Sequence, residues 1–212
     1  GVTVVGVARS REGLDATRED IENEGGTCHA VPFDLTEIDR LPYLLSVVRS
    51  LAGEVDILVN NAAVEVYKYY QDNGPEDLLS ILTLNLHVPM ELTRLVLPSM
   101  LERGGHIVTI ASLAGTTGGS SVVCPGYVRE VGMFADSRVK VPPLLGTSSP
   151  GAVARAVLEA VRGEKPEIIV NRGPIKPLLA FGQVAPLLAD KIVRWLGVAE
   201  LNRKRVEAVK ES

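Results

Sequence analysis

Short runs of β-branched and apolar residues alternate with longer stretches of helical periodicity along this chain of 212 residues. Residues 2–8 form the first run, residues 11–24 have apolar side chains on one helical face, and residues 27–33 form the next run. Thr36 is the predicted N-cap of the second helix. The alternation continues with predicted strands at 56–60, 106–111, 122–124 and 167–170 and predicted helices at 36–52, 75–101 and 150–162. Because such alternation implies right-handed crossovers, the sequence predicts an α/β fold with a doubly wound parallel sheet.

The composition, 46% hydrophobic and 23% charged residues, is that of one globular domain. The net charge of −4, with acids and bases interspersed, argues against a nucleic-acid partner, since phosphate binding needs a concentrated basic face. We find no signal peptide and no apolar run of bilayer length. Cys28 and Cys124 lie in apolar runs outside any CxxC pair, so we expect reduced core thiols in a cytoplasmic protein. His29, His87 and His106 lack metal-ligand spacing, so no metal site is expected.

The predicted strand at 56–60 ends in two carboxamides and two very small side chains. Asn60 and Asn61 can both donate and accept hydrogen bonds, which would brace neighbouring loops. Ala62 and Ala63 leave room for a flat ring or a ribose to lie against the backbone. This pattern fits a buried strand that ends at a ligand-facing edge, although an ordinary Asn-rich turn would read the same way.

The chain resembles the short-chain dehydrogenase/reductase family over nearly its whole length. Asn60-Asn61-Ala62-Ala63 is similar to the Asn-Asn-Ala-Gly strand end of that family, with Ala63 in place of the glycine. The other motifs resemble the acidic residue at the adenine, the asparagine and serine of the catalytic tetrad, and the loop that closes on the nicotinamide: Asp34 in Phe33-Asp34-Leu35-Thr36, Asn85 in Leu84-Asn85-Leu86, Ser112 after Ala111, and Pro125-Gly126-Tyr127-Val128. Five short motifs in the order of the family make the resemblance specific.

This resemblance implies a single Rossmann-like domain, with residues 1–119 as the cofactor half and residues 120–212 as the substrate-side half with the C-terminal helices. It implies an NAD(P)-dependent oxidoreductase that acts on a carbonyl or alcohol. Ser112 would orient the carbonyl and Asn85 would hold a water relay. The implied cofactor contacts come from the ends of the strands and from the later loop: Arg9, Asp34, Leu35, Asn61, Ala62, Ala63, Pro125, Gly126 and Val128.

Arg9 follows the first predicted strand, where an acidic residue in dinucleotide folds binds the ribose 2′-hydroxyl. An arginine at this point offers a planar fork that matches a 2′-phosphate, so NADP is expected in preference to NAD. Arg11 could be a second phosphate contact. Both arginines could instead solvate the start of a surface helix.

Two segments of the family pattern are absent. The family opens with a strand and a glycine-rich turn that holds the pyrophosphate, whereas this sequence begins at what resembles the second strand. The two strands that flank the missing one are expected either to pair directly or to leave the chain unable to fold independently, unless the printed sequence omits segments that the protein possesses.

The second absent segment is the helix that carries Tyr-x-x-x-Lys, which the family places between residues 119 and 120. Tyr127 lies after Ser112, but Val131 occupies the position of the lysine. A tyrosine donates a proton near neutrality only when an adjacent ammonium stabilises its phenolate, and general acid–base catalysis contributes roughly 10²–10⁴-fold. We therefore expect an oxidoreductase that is inactive in this shortened form, or else a non-catalytic remnant or subunit.

The later residues would supply the substrate side. Residues 141–146 are apolar and interrupted by prolines, which suggests a lid over an apolar carbonyl or alcohol substrate or, equally, a surface loop. Residues 174–196 are rich in leucine and are expected to cover the sheet edge, rather than to form an interfacial membrane helix or a subunit contact. In many relatives, the helix that corresponds to residues 75–101 and the tyrosine helix together form the bundle that joins two subunits. Because the tyrosine helix is missing here, we expect this mode of homo-oligomer formation to be lost.

Overall fold

A computed structural model describes residues 1–111, 121–130, 133–136, 139, 141, 146–163, 165, 167–171 and nine further positions between 188 and 207. The chain divides into two compact units. The first comprises Gly1–Val64 and Pro75–Ile107, and the second comprises Glu65–Gly74 and Val108–Ser212. The predicted α/β architecture with parallel strands is confirmed.

Strands and helices alternate in the first unit as the sequence predicts. The order is β1 (Thr3–Ala8), α1 (Arg11–Asn23), β2 (Thr27–Pro32), a 3-10 turn (Ile38–Arg40), α2 (Leu41–Ala52), β3 (Ile57–Asn60), α3 (Pro75–Leu82), a π-helical segment (Thr83–His87), α4 (Val88–Arg103) and the start of β4 (His106–Ile110). The Ser10 hydroxyl accepts a hydrogen bond from the N–H of Gly13 at 3.1 Å and caps α1. Gly25, with φ of 77°, turns the chain after that helix, a conformation that favours glycine.

Two of the predicted helices differ from those in the structure. The second helix begins at Leu41 rather than at residue 36, because Thr36 bonds to Asp34 and a 3-10 turn intervenes. The helix predicted over 75–101 is interrupted by the π-helical segment, whose Val88 N–H donates to Thr83 O. Pro89 explains the interruption, since a proline has no N–H to donate and its ring clashes with the carbonyl four residues earlier.

Helices α2 and α4 cover one face of the strands in the first unit. One core cluster joins Leu41, Leu44 and Val88 to Val7 of β1, and a second joins Leu45, Val96 and Met100 to Leu58 of β3. Leu95 of α4 packs in both clusters. The two strands therefore lie on a common helical layer.

The strands of the first unit do not form one continuous ladder. β1 pairs in parallel with β2, from Thr3 opposite Thr27 to Ala8 opposite Pro32. β3 has β4 as its neighbour, and the N–H of His106 donates to Asp56 O at 2.9 Å where β4 begins. Among the described strands, β1 and β3 are not paired with each other. Direct pairing of these two strands, one of the alternatives that the sequence left open, is therefore not observed.

The second unit contains the rest of β4, β5 (Ser121–Pro125), α5 (Met133–Asp136), α6 (Pro150–Gly163) and β6 (Glu167–Val170). β5 pairs in parallel with β4 on one side and with β6 on the other. Helix α6 packs Ala156 and Ala160 against Val108 and Val123, all of them buried.

Both cysteines are free and buried, as expected. No helix in the described parts of the chain has the length and apolarity needed to cross a membrane. The predicted lid at 141–146 and tail at 174–196 lie almost entirely outside the described residues.

Candidate functional site

The carboxyl ends of β1 and β2 bring Arg9 and Asp34 together. The N–H of Phe33 donates to Ala8 O at 2.9 Å, which continues the β1–β2 ladder to the positions before these side chains. Asp34 Oδ1 accepts the hydroxyl of Thr36 at 2.7 Å and the backbone N–H of Thr36 at 2.9 Å. These two hydrogen bonds, followed by the charge of Arg9, lower the pKa of Asp34 below its ordinary value. The result is an oriented carboxylate whose Oδ2 receives no hydrogen bond from the described residues.

The two arginines after β1 are in different situations. Arg9 is exposed and forms no ion pair within the described part of the chain. The Nε of Arg11 lies 3.6 Å from Asp15 Oδ2, and the Arg11 side chain is 72% exposed on the surface of α1. Arg9 is therefore the arginine that remains available to an anion at this strand end.

The structure separates Leu35 from the other predicted cofactor residues. Its side chain is buried in the core cluster of α2 and α4. Only the backbone groups of Leu35 can therefore contact a ligand at the end of β2.

At the end of β3, Asn60 and its neighbours differ sharply in burial. Asn60 is 8% exposed, and neither its Oδ1 nor its Nδ2 has a hydrogen-bond partner. Asn61, Ala62 and Ala63 are exposed, and Asn61 makes no hydrogen bond with the described residues. The expected bracing of loops by Asn60 and Asn61 is therefore wrong for this structure, and the exposed backbone at 61–63 is what remains accessible to a ligand.

Asn85 provides the bracing instead. It lies in the π-helical segment, and its Oδ1 accepts the N–H of Val64 at 2.8 Å while its Nδ2 donates to Val64 O at 2.8 Å. Both bonds hold the chain that continues from β3. π-helical segments occur frequently at functional sites, and Pro89 inside a predicted helix was the sequence signal for this one.

In the second unit, β4 leads towards Ser112, which itself lies outside the described residues. Ala111 is the last described residue before it, and its N–H donates to Val123 O at 2.9 Å. The loop after β5 is held by the N–H of Gly126, which donates to Val170 O at 3.0 Å, and the ring of Tyr127 packs on Phe134 with centroids 4.8 Å apart.

Ser148 is a positioning residue that the sequence did not reveal. It is buried, its hydroxyl donates to Val170 O at 3.0 Å, and its N–H donates to Tyr127 O at 2.8 Å. The Ser148 carbonyl accepts the N–H of Arg129 at 3.0 Å. Ser148 therefore forms an isolated parallel β-bridge with Val128. These bonds fix the Pro125–Val128 loop against β6.

Comparisons with known proteins agree on one family. The family model "short chain dehydrogenase" matches residues 1–127. The chain is 40% identical to ketoacyl reductase HetN of Nostoc over 241 residues, covering 97% of this chain and 84% of that protein. It is 28% identical to 3-oxoacyl-[acyl-carrier-protein] reductase FabG of Haemophilus influenzae over 196 residues, covering 89% of this chain and 79% of that protein.

Solved structures share the fold. A metagenomic short-chain oxidoreductase in complex with NADP matches with a TM-score of 0.63 at 24% identity, covering 80% of this chain and 86% of the other. A 7α-hydroxysteroid dehydrogenase complexed with NADH matches with a TM-score of 0.68 at 22% identity, covering 82% and 84% of the two chains.

Proposed function

Because the chain belongs to the short-chain dehydrogenase family, we propose that it binds NADP at the carboxyl ends of β1, β2 and β3 and does not complete the reduction of a carbonyl. The proposal of NADP binding rests on the placement of an unpaired Arg9 beside an oriented Asp34 carboxylate. The proposal that carbonyl reduction is not completed rests on the absence of a Tyr-x-x-x-Lys pair from the sequence.

The residues at these strand ends fit the adenosine 2′-phosphate portion of NADP. The Arg9 fork can bind the 2′-phosphate in bidentate geometry, and the open Oδ2 of Asp34 can accept a hydrogen bond from the adenine amino group. The exposed backbone at Asn61, Ala62 and Ala63 allows a ribose to approach closely. We assign no described residue to the pyrophosphate.

At the reacting end, the bound cofactor would supply or accept hydride. Pro125, Gly126 and Val128 would line the nicotinamide through the loop that Ser148 holds. Ser112 would orient the carbonyl by donating a hydrogen bond. Asn85 already uses its carboxamide to hold Val64, so it would order water through the backbone of its π-helical segment rather than through a free side chain.

The reduced carbonyl needs a proton, and no lysine follows any of the five tyrosines by four residues. The comparison with HetN supports an internal shortening. That alignment spans 241 positions, whereas 97% of 212 residues is about 206, so about 35 positions of HetN have no counterpart here. That number of positions is enough for a helix and its flanking loops. The relatives named as ketoacyl reductases make a ketoacyl group the substrate class that we propose for this family member.

Cofactor binding is tested by fluorescence titration of the purified chain with NADPH and with NADH. We expect tighter binding of NADPH, and we expect Arg9→Met to weaken NADPH binding by about 10–100-fold while NADH binding stays unchanged, since a hydrogen bond to a charged group contributes about 1.5–3 kcal/mol. Arg11→Met is the matched control and should change NADPH affinity by no more than about twofold. Equal affinity for the two cofactors, or equal effects of the two substitutions, would refute the role of Arg9.

Turnover is tested separately by following NADPH absorbance with a β-ketoacyl thioester. We expect no oxidation above the rate without substrate. Measurable reduction by chain whose intact mass matches 22.7 kDa would show that proton delivery does not need the missing pair.

A further inference from the structure

We propose that a cleft between α6 and β6 binds a small monocarboxylate with a short apolar chain, and that Arg155 binds its carboxylate group. The cleft has a volume of about 310 Å³, and all of its described lining residues belong to the second unit. This inference goes beyond the proposed function, and its test does not involve NADP. Three observations lead to it: apolar walls, an arginine that forms no ion pair with the described residues, and hydrogen bonds that join the cleft to a neighbouring loop.

The first observation concerns the apolar walls of the cleft. Ala152 and Ala156 of α6 form one wall, and Ile168 and Val170 of β6 form the other. Ala156 is buried, and Ile168 and Val170 pack against the same core cluster. Because protein cores are otherwise closely packed, the small side chains of the two alanines explain why space remains here. The walls therefore suit the apolar part of a ligand.

The second observation is the charge of Arg155. This residue lines the cleft, is exposed and forms no ion pair within the described part of the chain. Its Nη1 lies 3.7 Å from the point that a Cβ on Gly151 would occupy, so the guanidinium turns back along α6 towards the start of that helix. A guanidinium binds a carboxylate through two parallel hydrogen bonds. Arg155 is therefore available to an anion in the cleft.

Glu159 limits the charge of the anion that the cleft accepts. It also lines the cleft, and its Oε1 is paired with the Nζ of Lys165. This ion pair compensates the charge of Glu159 and leaves Arg155 as the uncompensated charge among the described lining residues. A phosphate monoester carries about −1.5 to −2 charges at pH 7, which Arg155 cannot balance and Glu159 would repel. A singly charged carboxylate fits better.

The volume of the cleft sets the length of the apolar chain. Ligand cavities usually have volumes of about 300–1,000 Å³, so this cleft suits a small molecule. At roughly 30 Å³ for each water-sized group, it holds about ten non-hydrogen atoms. Hexanoate is slightly smaller than this limit. Its carboxylate would lie at Arg155 and its chain along Ala152, Ala156 and Ile168.

The third observation is that two lining residues also hold the Pro125–Val128 loop. The Ser148 hydroxyl and the N–H of Gly126 both donate to Val170 O at 3.0 Å, and the N–H of Ser148 donates to Tyr127 O at 2.8 Å. Ser148 and Val170 both line the cleft, so a movement that separates them also breaks its wall. A ligand that binds only the intact wall must therefore stabilise the loop by mass action.

Isothermal titration calorimetry with hexanoate tests the site. Hexanamide is the matched neutral ligand, and butyl phosphate is the ligand of higher charge. We expect hexanoate to bind at least about tenfold more tightly than either, since a hydrogen bond to a charged group has about that effect on affinity. Butanoate lacks two methylenes and should bind more weakly by up to about 15-fold, because each buried methylene contributes about fourfold.

A pair of variants locates the carboxylate at Arg155. Arg162 lies on the same helix, is exposed and forms no ion pair with the described residues, but it does not line the cleft. We expect Arg155→Met to weaken hexanoate binding by at least about tenfold and Arg162→Met to weaken it by less than about twofold. Because both side chains are exposed, both variants should keep the Tm of the unsubstituted protein to within about 2 °C. Equal effects of the two substitutions on binding would remove Arg155 from the site.

Amide hydrogen exchange followed by NMR tests the connection to the loop. At a hexanoate concentration of about ten times Kd, exchange at Gly126 and Ser148 should slow by up to about tenfold, the factor by which the ligand disfavours the open wall. Exchange in α1, which belongs to the first unit, should stay unchanged. Slowing by less than about twofold at Gly126 and Ser148 would contradict the shared wall.

Three further outcomes would overturn the proposal. Equal affinities for hexanoate and hexanamide would mean that no cation binds the carboxylate, and equal affinities for hexanoate and butanoate would mean that the chain does not lie against the apolar walls. Absence of hexanoate binding would refute the site, and a dimeric mass in light scattering would then identify a second copy of the chain as the occupant of the cleft.

Discussion

Replacing Asn85 by alanine should destabilise the protein, because this side chain joins the π-helical segment to the chain that follows β3. Two hydrogen bonds of 2.8 Å to the N–H and carbonyl of Val64 would be lost. A hydrogen bond contributes a net 0.5–1.5 kcal/mol, roughly, and Asn85 is exposed, so water can replace part of what is lost. We therefore expect a loss of about 1–2 kcal/mol, the lower half of the sum for two bonds.

Thermal and urea unfolding followed by circular dichroism measure this loss. For a chain of this size about 1 kcal/mol lowers Tm by roughly 2–4 °C, so the expected decrease is about 2–8 °C. Asn61→Ala is the matched control, since Asn61 is exposed and makes no hydrogen bond with the described residues, and it should change the stability by less than about 0.5 kcal/mol. Equal stabilities of Asn85→Ala and Asn61→Ala would refute the bracing role of Asn85.

Three further predictions concern Asp34, Cys124 and Leu41. Thr36→Val should raise the pKa of Asp34 towards its ordinary value, and carboxyl NMR titration measures this change. Because the pKa of Asp34 is lowered in the folded protein, its ionised form stabilises the fold at pH values above the ordinary pKa. This stabilisation is lost as the pH falls through the pKa of the folded protein. Burial, with a smaller effect from Glu167, raises the pKa of the Cys124 thiol, so a Cys28→Ala protein should react with iodoacetamide only as fast as it unfolds, and rapid alkylation under native conditions would contradict this. Leu41→Ala should cost about 2–5 kcal/mol in urea unfolding, because Leu41 is fully buried, and a loss below about 1 kcal/mol would mean that the core around it rearranges.

The alternation of strands and helices was predictable because each apolar run is too short for a helix and is bounded by polar or glycine-containing segments. The predicted strands at 27–33 and 106–111 end within one residue of β2 and β4. The helix predicted over 11–24 agrees equally well with α1. Hydrophobic periodicity fixes such elements locally, without knowledge of the rest of the chain.

The wrong start of the second helix arises because the Thr36 side chain has two competing partners. Thr36 has the side chain of an N-cap, but Asp34 lies two residues before it and accepts both its N–H and its hydroxyl. This local Asx-type turn satisfies Thr36 and delays the helix to Leu41. The sequence contains both possibilities, and only the fold at the end of β2 decides between them.

Some residues of the candidate site could be predicted from the sequence and others could not. Asp34 was predicted from the family resemblance and Arg9 from its position after the first strand, and the structure places both at the ends of adjacent parallel strands. The roles of Asn60 and Ser148 were not predicted, because they depend on which backbone groups lie near each side chain after folding. A carboxamide at a strand end looks the same in sequence whether it is braced, exposed or buried without a partner.

The contacts that place Arg9 and Asp34 at the strand ends are all local. The β1–β2 ladder carries both residues to the edge, the N–H of Phe33 extends that ladder, and Thr36 fixes the carboxylate. None of these bonds involves β3 or the second unit. The loss of turnover that we propose rests on a different observation, since this sequence contains no Tyr-x-x-x-Lys to place a phenol beside an amine for proton delivery. In the proposed function, binding of the adenosine 2′-phosphate portion does not depend on turnover, so Arg9→Met should change NADPH affinity whether or not a reaction follows.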